Sequence, residues 1–287
     1  MKLIPCEVKE YAMQKNLKIY QPEKIRDNEE IINILKDINP DVICVVAYGK
    51  IIPKEILDIP KYGCINVHPS LLPKYRGPAP IQWAILNGDA KTGVTTMYLD
   101  EGMDSGDIIL QEEIKIEENE TSGELWNRTS KIGAKLLVET IKQIEEGKAP
   151  RTKQGNEFSI APMLEKEMAR INWEEKTANE IKNLVRGLNP IMGAYSTLNG
   201  KKIKFWKVEL VSTDEFIETF QEFKGYEYRF SDIEPGTILY VDAKEAIYIM
   251  AKEGIIKVLE IQGENAKKMP TPDFLRGNRV SVVDIFE

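Results

Sequence analysis

Apolar positions follow a helical rhythm through much of the first half of this chain, broken by short continuous runs. Val8, Tyr11 and Ala12 fall at i, i+3 and i+4, and Lys18-Ile19-Tyr20 reads as a short strand. Residues 28–38 place Ile31, Ile32, Ile34 and Leu35 on a second helix that Asn39-Pro40 ends. The run Val42 to Ala47 suits a parallel strand buried on both faces. Cys64, Ile65 and Val67 give another short strand, and Ala79 to Asn87 an amphipathic helix closed by Gly88. Thr92–Leu99 and Ile108–Ile116 read as strands. Thr121-Ser122-Gly123-Glu124 is a capping box opening a helix to about Glu146. Leu125, Thr129, Ile132, Leu136, Thr140 and Ile144 stripe one face of that helix, and Trp126 is expected in the core. Helices alternating with buried strands predict an α/β domain.

The polar run after Pro150 reads as a linker. Thr177-Ala178-Asn179-Glu180 opens a further helix carrying Ile181, Leu184, Val185 and Leu188. After Asn189-Pro190 the period changes from helical to alternating. Ala194–Leu198, an Asn199-Gly200 turn and Lys201–Val211 make a strong hairpin signal. Residues 212–234 read as an irregular acidic and aromatic excursion. Strands at Thr237–Val241, Ala246–Ala251 and Ile255–Ile261 and a brief helix near Asp273 complete a small antiparallel barrel. The expected organisation is a domain over 1–150, a linker over 151–166 and a second domain over 167–287.

At 287 residues the chain is long enough for two modest cores. Its formal net charge is −7, from 39 basic and 46 acidic residues, which argues against a general nucleic-acid binder. Any contact with nucleic acid must then come from local basic groups: Lys201, Lys202, Lys204 and Lys207, with Lys267 and Lys268. A solvated strand face is the plainer reading of these lysines. Cys6, Cys44 and Cys64 are widely spaced with no CxxC, so reduced thiols are expected, with Cys44 and Cys64 buried in strands. No apolar run reaches membrane-spanning length and no signal peptide is read, so the expected location is the cytoplasm.

The candidate chemistry lies in residues 63–107. Strand alternation puts Asn66 and His68 on one face, and Pro69 stops the strand there. Open α/β sheets bind ligands at such strand ends. His68 is the only histidine. A lone histidine is more often a satisfied structural residue than a catalyst, so its neighbours carry the weight. They are a carboxamide two residues away, the Pro- and Gly-rich loop after Pro69, and the acidic loop Asp100 to Asp107, from which Asp104 is selected. The acidic spacing does not match an EF-hand, and no metal site is expected. A carboxamide can stabilise a developing oxyanion, an imidazole can exchange protons near neutral pH, and a carboxylate can hold the imidazole in one tautomer. Attack of an external amine on an acyl donor fits this set best.

The segments NVHPSLLPKYRGPAPIQWAI and GVTTMYLDEGMDSGDIILQ resemble the methionyl-tRNA formyltransferases, a branch of the 10-formyltetrahydrofolate-dependent formyltransferases. IYQPEKIRD, VVAYGKIIPKEILDIPKYG, LVRGLNPIMGAYSTLNGKKIKFWK and PDFLRGNRV extend the likeness over nearly the whole chain. The resemblance implies a Rossmann-like domain with a mostly parallel sheet, followed by an OB-like barrel that touches tRNA. It implies Asn66, His68 and Asp104 as catalytic residues. It implies folate positioning by Ser70, Leu71, Leu72 and Pro73, with Ile51 and Ile52 against the pterin, although ordinary core packing would serve those isoleucines equally. The implied co-substrate is 10-formyltetrahydrofolate, the partner initiator methionyl-tRNA, and the expected state a monomer. Formyl transfer to an amino-sugar or other small amine is the alternative, and an inactive folate- or nucleic-acid-binding fragment a further one. The family begins with a strand, a glycine turn, a helix and a second strand that do not precede Lys2-Leu3-Ile4-Pro5 here. The expectation is therefore a mis-assigned start or a poorly active fragment.

Overall fold

The structure, a computed structural model, describes residues 4–225, 230 and 232–287. Two units share the chain. In the first, β1 (Ile43–Val45) and β2 (Cys64–His68) pair in parallel, then β3 (Lys91–Tyr98) and β4 (Ile108–Lys115) add antiparallel, in the order β1-β2-β3-β4. The Rossmann-like sheet is thus mixed rather than mostly parallel. For the β3–β4 pair the reason is local: only nine residues separate the two strands, and a parallel return needs a crossover of a dozen or more.

The helices of this unit are α1 (Glu7–Gln14), α2 (Glu29–Ile38), α3 (Lys54–Leu57), α4 (Pro80–Leu86) and α5 (Ser122–Glu145), of which α4 and α5 pack on the sheet. Helix α5 buries the expected stripe, Leu125, Thr129, Leu136, Thr140 and Ile144, against β3 and β4, with Gly133 close to Val67. Ile81, Ala84, Ile85, Val94 and Ile114 complete that core.

Three expectations need correction here. Val42–Ala47 is not doubly buried: β1 spans three residues at the sheet edge, Cys44 is exposed, and Val46 is 55% exposed. Helix α1 forms but buries no residue, because nothing among the described residues covers Val8 and Tyr11. Residues 18–20 are not a strand. Cys64 is buried as expected, and burial pushes its thiol up to about 11.

The second unit is a curled antiparallel sheet in the order β5-β6-β9-β8-β7, with β10 (Met269–Pro270) paired to β9. The strands are β5 (Ala194–Leu198), β6 (Lys201–Val211), β7 (Ile238–Val241), β8 (Ile247–Met250) and β9 (Ile255–Gln262). The Asn199-Gly200 turn joins β5 to β6 with both residues at positive φ, as a tight hairpin of this type requires. Helix α6 (Ala178–Gly187) packs on β6 around Trp173, Phe205 and Phe286, whose rings meet at 5.2–6.0 Å. Part of the expected irregular excursion is helical. Ser212 caps α7 (Thr213–Thr219), and Phe216 and Phe220 pack against Tyr248, with Phe230 against Phe216, in a separate aromatic core. Residues 226–229 and 231 of that excursion lie outside the described residues. Helix α8 (Thr271–Gly277) contains Asp273.

Both capping boxes are formed. In the second, the Thr177 backbone N–H donates to Glu180 Oε2 at 2.9 Å and its hydroxyl does so at 2.8 Å, which holds the Glu180 carboxyl below its ordinary value of 4.5. Thr177→Ala is expected to cost about 1 kcal/mol of stability at neutral pH. A depressed carboxyl stabilises above its unfolded value, so the part due to Glu180 is lost as pH falls through the lowered value. Denaturant melts of parent and variant at pH 7 and pH 3 should therefore converge towards the acid end. A gap that stays constant would remove Glu180 from the cap.

Candidate active site

Strand β2 ends at His68, and the loop beyond it fixes the imidazole. Pro69 breaks the ladder, the chain turns through Ser70 to Arg76, and the ring becomes 4% exposed beneath that loop. His68 Nε2 lies 2.8 Å from the Tyr75 carbonyl oxygen. A carbonyl only accepts, so Nε2 carries the proton and Nδ1 is the basic nitrogen of the neutral ring. Nδ1 faces Asp104 Oδ2 at 3.6 Å. That distance is an ion-pair separation rather than a hydrogen bond, so the contact strengthens when the ring gains a proton.

Asp104 reaches this position from the loop between β3 and β4, with φ at 49°. Its Oδ2 accepts from the Gly77 backbone N–H at 2.8 Å, and its side chain is 16% exposed. The carboxylate is thereby held between the imidazole at the end of β2 and a glycine N–H of the loop that follows it. Asp100 is occupied within its own turn, accepting from Gly102 N and Ser105 Oγ, while Asp107 pairs with Arg151 at 3.3 Å. Among the described residues no group of three His, Cys, Asp or Glu is arranged to hold a metal.

The structure treats the remaining sequence-derived candidates differently. Asn66 lies two residues before His68 on β2, half-buried, in register with Met97 of β3. Ser70 is fully buried, and its hydroxyl donates to the Lys74 carbonyl at 2.6 Å. The Leu72 backbone N–H donates to Thr95 Oγ1 at 3.2 Å, and its carbonyl accepts from Gln111 Nε2 at 2.9 Å. The Leu72–Pro73 peptide is cis. Leu71 approaches Gly93, where a Cβ would meet Leu71 Cδ2 at 2.3 Å and the Glu112 carbonyl oxygen at 2.4 Å, so only glycine fits. Ile51 is 72% exposed and Ile52 half-buried, both in the turn before α3. Ile51 is therefore not core, and a free apolar side chain is what a ligand-facing residue offers.

Segment 152–161, read from sequence as a polar linker, is bonded to both loops that frame His68. Thr152 bridges Ile108, and Ile160 bridges Arg76. Arg76 N donates to the Ser159 carbonyl at 2.8 Å, and Ala161 N to the Arg76 carbonyl at 2.7 Å. Composition gives no sign of this, because isolated bridges leave no periodic signature.

A cleft of about 870 Å³ opens between the two units, lined by Ser122, Trp126, Asn189, Trp206, Lys207 and Lys268 among others. Trp126 is 48% exposed here, not in the core, since it lies one residue off the buried stripe of α5. The units meet closely at its base: Gly123 N donates to the Asn189 carbonyl at 3.1 Å, and Ser122 Oγ does so at 2.7 Å. Among the candidate lysines, Lys202 sits 3.5 Å over the Tyr195 ring, Lys204 donates to the Met192 carbonyl at 2.7 Å, and Lys268 pairs with Glu260 at 2.6 Å. Two register shifts flanking Lys207 break simple alternation in β6.

A buried imidazole at the end of a strand facing a half-buried loop carboxylate, on a mixed sheet followed by a curled antiparallel sheet, is carried by a chain whose relatives are known. Residues 3–141 match the formyl transferase family and residues 163–279 match the formyl transferase C-terminal domain. The chain belongs to the formyltransferase family. Within it, the chain is 48% identical to the methionyl-tRNA formyltransferase of Clostridioides difficile (strain 630), over 97% of this chain and 84% of that protein. It is 44% identical to the methionyl-tRNA formyltransferase of Clostridium tetani (strain Massachusetts / E88), over 100% of this chain and 87% of that protein. Solved structures share the fold at lower identity. HypX from Aquifex aeolicus in complex with tetrahydrofolic acid gives a TM-score of 0.62 at 21% identity, covering 91% of this chain and 44% of HypX. The N-formyltransferase from Helicobacter canadensis with folinic acid and dTDP-3-aminofucose gives 0.61 at 22%, covering 89% and 82%.

Proposed function

We propose that this chain transfers the formyl group of 10-formyltetrahydrofolate to the amino group of methionyl-initiator tRNA, giving N-formylmethionyl-tRNA for translation initiation. The observation that carries the chemistry is the meeting of the one histidine with Asp104 at 3.6 Å beneath the Ser70–Arg76 loop. Identity of 48% to a methionyl-tRNA formyltransferase, across both units, favours tRNA over a sugar amine.

In this reading the attacking amine adds to the formyl carbon, and the formyl oxygen becomes an oxyanion that accepts from the Asn66 carboxamide. The amine nitrogen sheds a proton as the tetrahedral intermediate forms, and His68 takes part in its removal and return to the departing folate nitrogen. Asp104 stabilises the imidazolium that results. Ser70, Leu71, Leu72 and Pro73 shape the folate site, with Ile51 and Ile52 against the pterin. Residues 1–150 form the catalytic domain, 151–166 the connection and 167–287 the tRNA-binding domain. The cleft suits a single-stranded 3′ end, with Trp126 and Trp206 as stacking faces and Lys207 and Lys268 near phosphates. The protein works as a monomer in the cytoplasm.

The test is competition. With 10-formyltetrahydrofolate and equal reactive amine, the chain should formylate methionyl-tRNA and leave nucleotide-linked amino-sugars untouched, read by chromatography of both products. Formylation of the sugar alone would overturn the tRNA assignment.

A further inference from the structure

Gln154 lies outside the loops that carry His68 and Asp104, yet its carboxamide joins them. Its Nε2 donates to the Asp104 carbonyl and to the Gly106 carbonyl, each at 2.8 Å. Its Oε1 accepts from Arg76 Nε at 3.0 Å and from Arg76 Nη2 at 2.8 Å. All four contacts are used, and the amide orientation is fixed by them: the carbonyls can only accept and the guanidinium can only donate. Arg76 is itself 8% exposed, stacked 4.4 Å over Phe158 and tied through its backbone to Ser159 and Ala161. Gly77, the next residue, supplies the N–H that holds Asp104 Oδ2.

These contacts close a ring: Gln154 to the Asp104 carbonyl, Asp104 side chain to Gly77, Arg76 back to Gln154. Asp104 is the carboxylate that lies within 4.0 Å of the imidazole among the described residues. It sits at a positive φ directly after the exposed stretch 100–103, so nothing in its own backbone preference keeps it there. We infer that Gln154 is a positioning residue for formyl transfer: it fixes the Asp104 loop against the Arg76-Gly77 loop and so sets the carboxylate–imidazole distance. The inference rests on the catalytic reading of His68 and Asp104. It extends that reading to a residue that touches neither substrate nor the reacting atoms.

The experiment uses the full chain with Gln154→Ala and Gln154→Glu, alongside Asp104→Asn. Glutamate keeps an acceptor for Arg76 but has no N–H for the two carbonyls. Both Gln154 variants should lower kcat about 10–100-fold, the cost of a displacement near 1 Å at a catalytic pair. KM for each substrate should stay within about twofold, and circular dichroism should remain that of the parent. A role in folding alone would not give this split. The chain's single histidine provides a spectroscopic readout. At one fixed pH, the imidazole ¹⁵N signals of Gln154→Ala should move from the parent position towards those of Asp104→Asn.

The outcomes separate. Parent-like kcat in Gln154→Glu would overturn donation to the carbonyls as the cause. Imidazole signals that move in Asp104→Asn but not in Gln154→Ala would overturn the role of Gln154 alone. Signals unmoved by Asp104→Asn would overturn the His68–Asp104 pairing, and this inference with it.

Discussion

His68→Ala lowers kcat by about 10²–10⁴-fold, the range for removing a group that moves protons in the transition state. Asn66→Ala lowers it by about 10²–10³-fold, the range for one oxyanion donor. The two losses differ in kind. The imidazole is buried, and its Nε2 proton satisfies the Tyr75 carbonyl at 2.8 Å, so alanine there also orphans that carbonyl and removes the ring that faces Asp104. His68→Gln is the sharper variant, because its amide can donate to the carbonyl while lacking a titrating nitrogen. Single-turnover formylation of methionyl-tRNA, with both substrates saturating, should show the slow step in all three variants. Near-parent turnover in His68→Gln would take proton transfer away from this residue.

Gly106→Ala is the second large effect, and it acts through backbone alone. A Cβ at this position would stand 1.9 Å from the Tyr98 carbonyl oxygen and 2.9 Å from its carbon. Those are strand atoms at the end of β3, not a side chain that can swing aside, so the loop must move. Overpacking of this kind costs about 1–3 kcal/mol, and more where backbone has to shift. Gly106 lies two residues from Asp104, so the displaced loop also carries the carboxylate away. The expected result is a lower melting temperature together with a fall in kcat of at least about tenfold, measured by calorimetry and by the same single-turnover assay. Unchanged kcat in a destabilised variant would show that the 104–107 loop can be reshaped without moving Asp104.

Much of this is written into the residues themselves. The helical stripe from Leu125 to Ile144 and the two Thr-x-x-Glu boxes are local patterns whose physics is complete within one element, and each forms as expected. The Asn199-Gly200 hairpin is local in the same sense. Which residues meet is a different matter. Residue types nominate His68 and Asp104, but their 3.6 Å approach depends on two loops whose conformations no period encodes. Gln154 is silent in the sequence because a single amide in a polar run has no pattern. Val42–Ala47 misleads because an apolar run reports hydrophobicity, not which neighbours stand on either side; β1 pairs only with β2 among the described residues. Trp126 misleads for a related reason. A large aromatic beside a buried stripe looks like core until the second unit places a cleft along that flank of the helix.

The connecting segment has a consequence for modularity. Thr152, Gln154, Ser159 and Ala161 hydrogen-bond the loops that carry the imidazole and carboxylate, so the seam between the halves does not coincide with the polar stretch that looks like one. A chimera that borrows the first half from one relative and the second from another should join after Ala161. A splice at Pro150 would pair one parent's connecting segment with the other's His68 and Asp104 loops, and the hydrogen bonds between them would have to match.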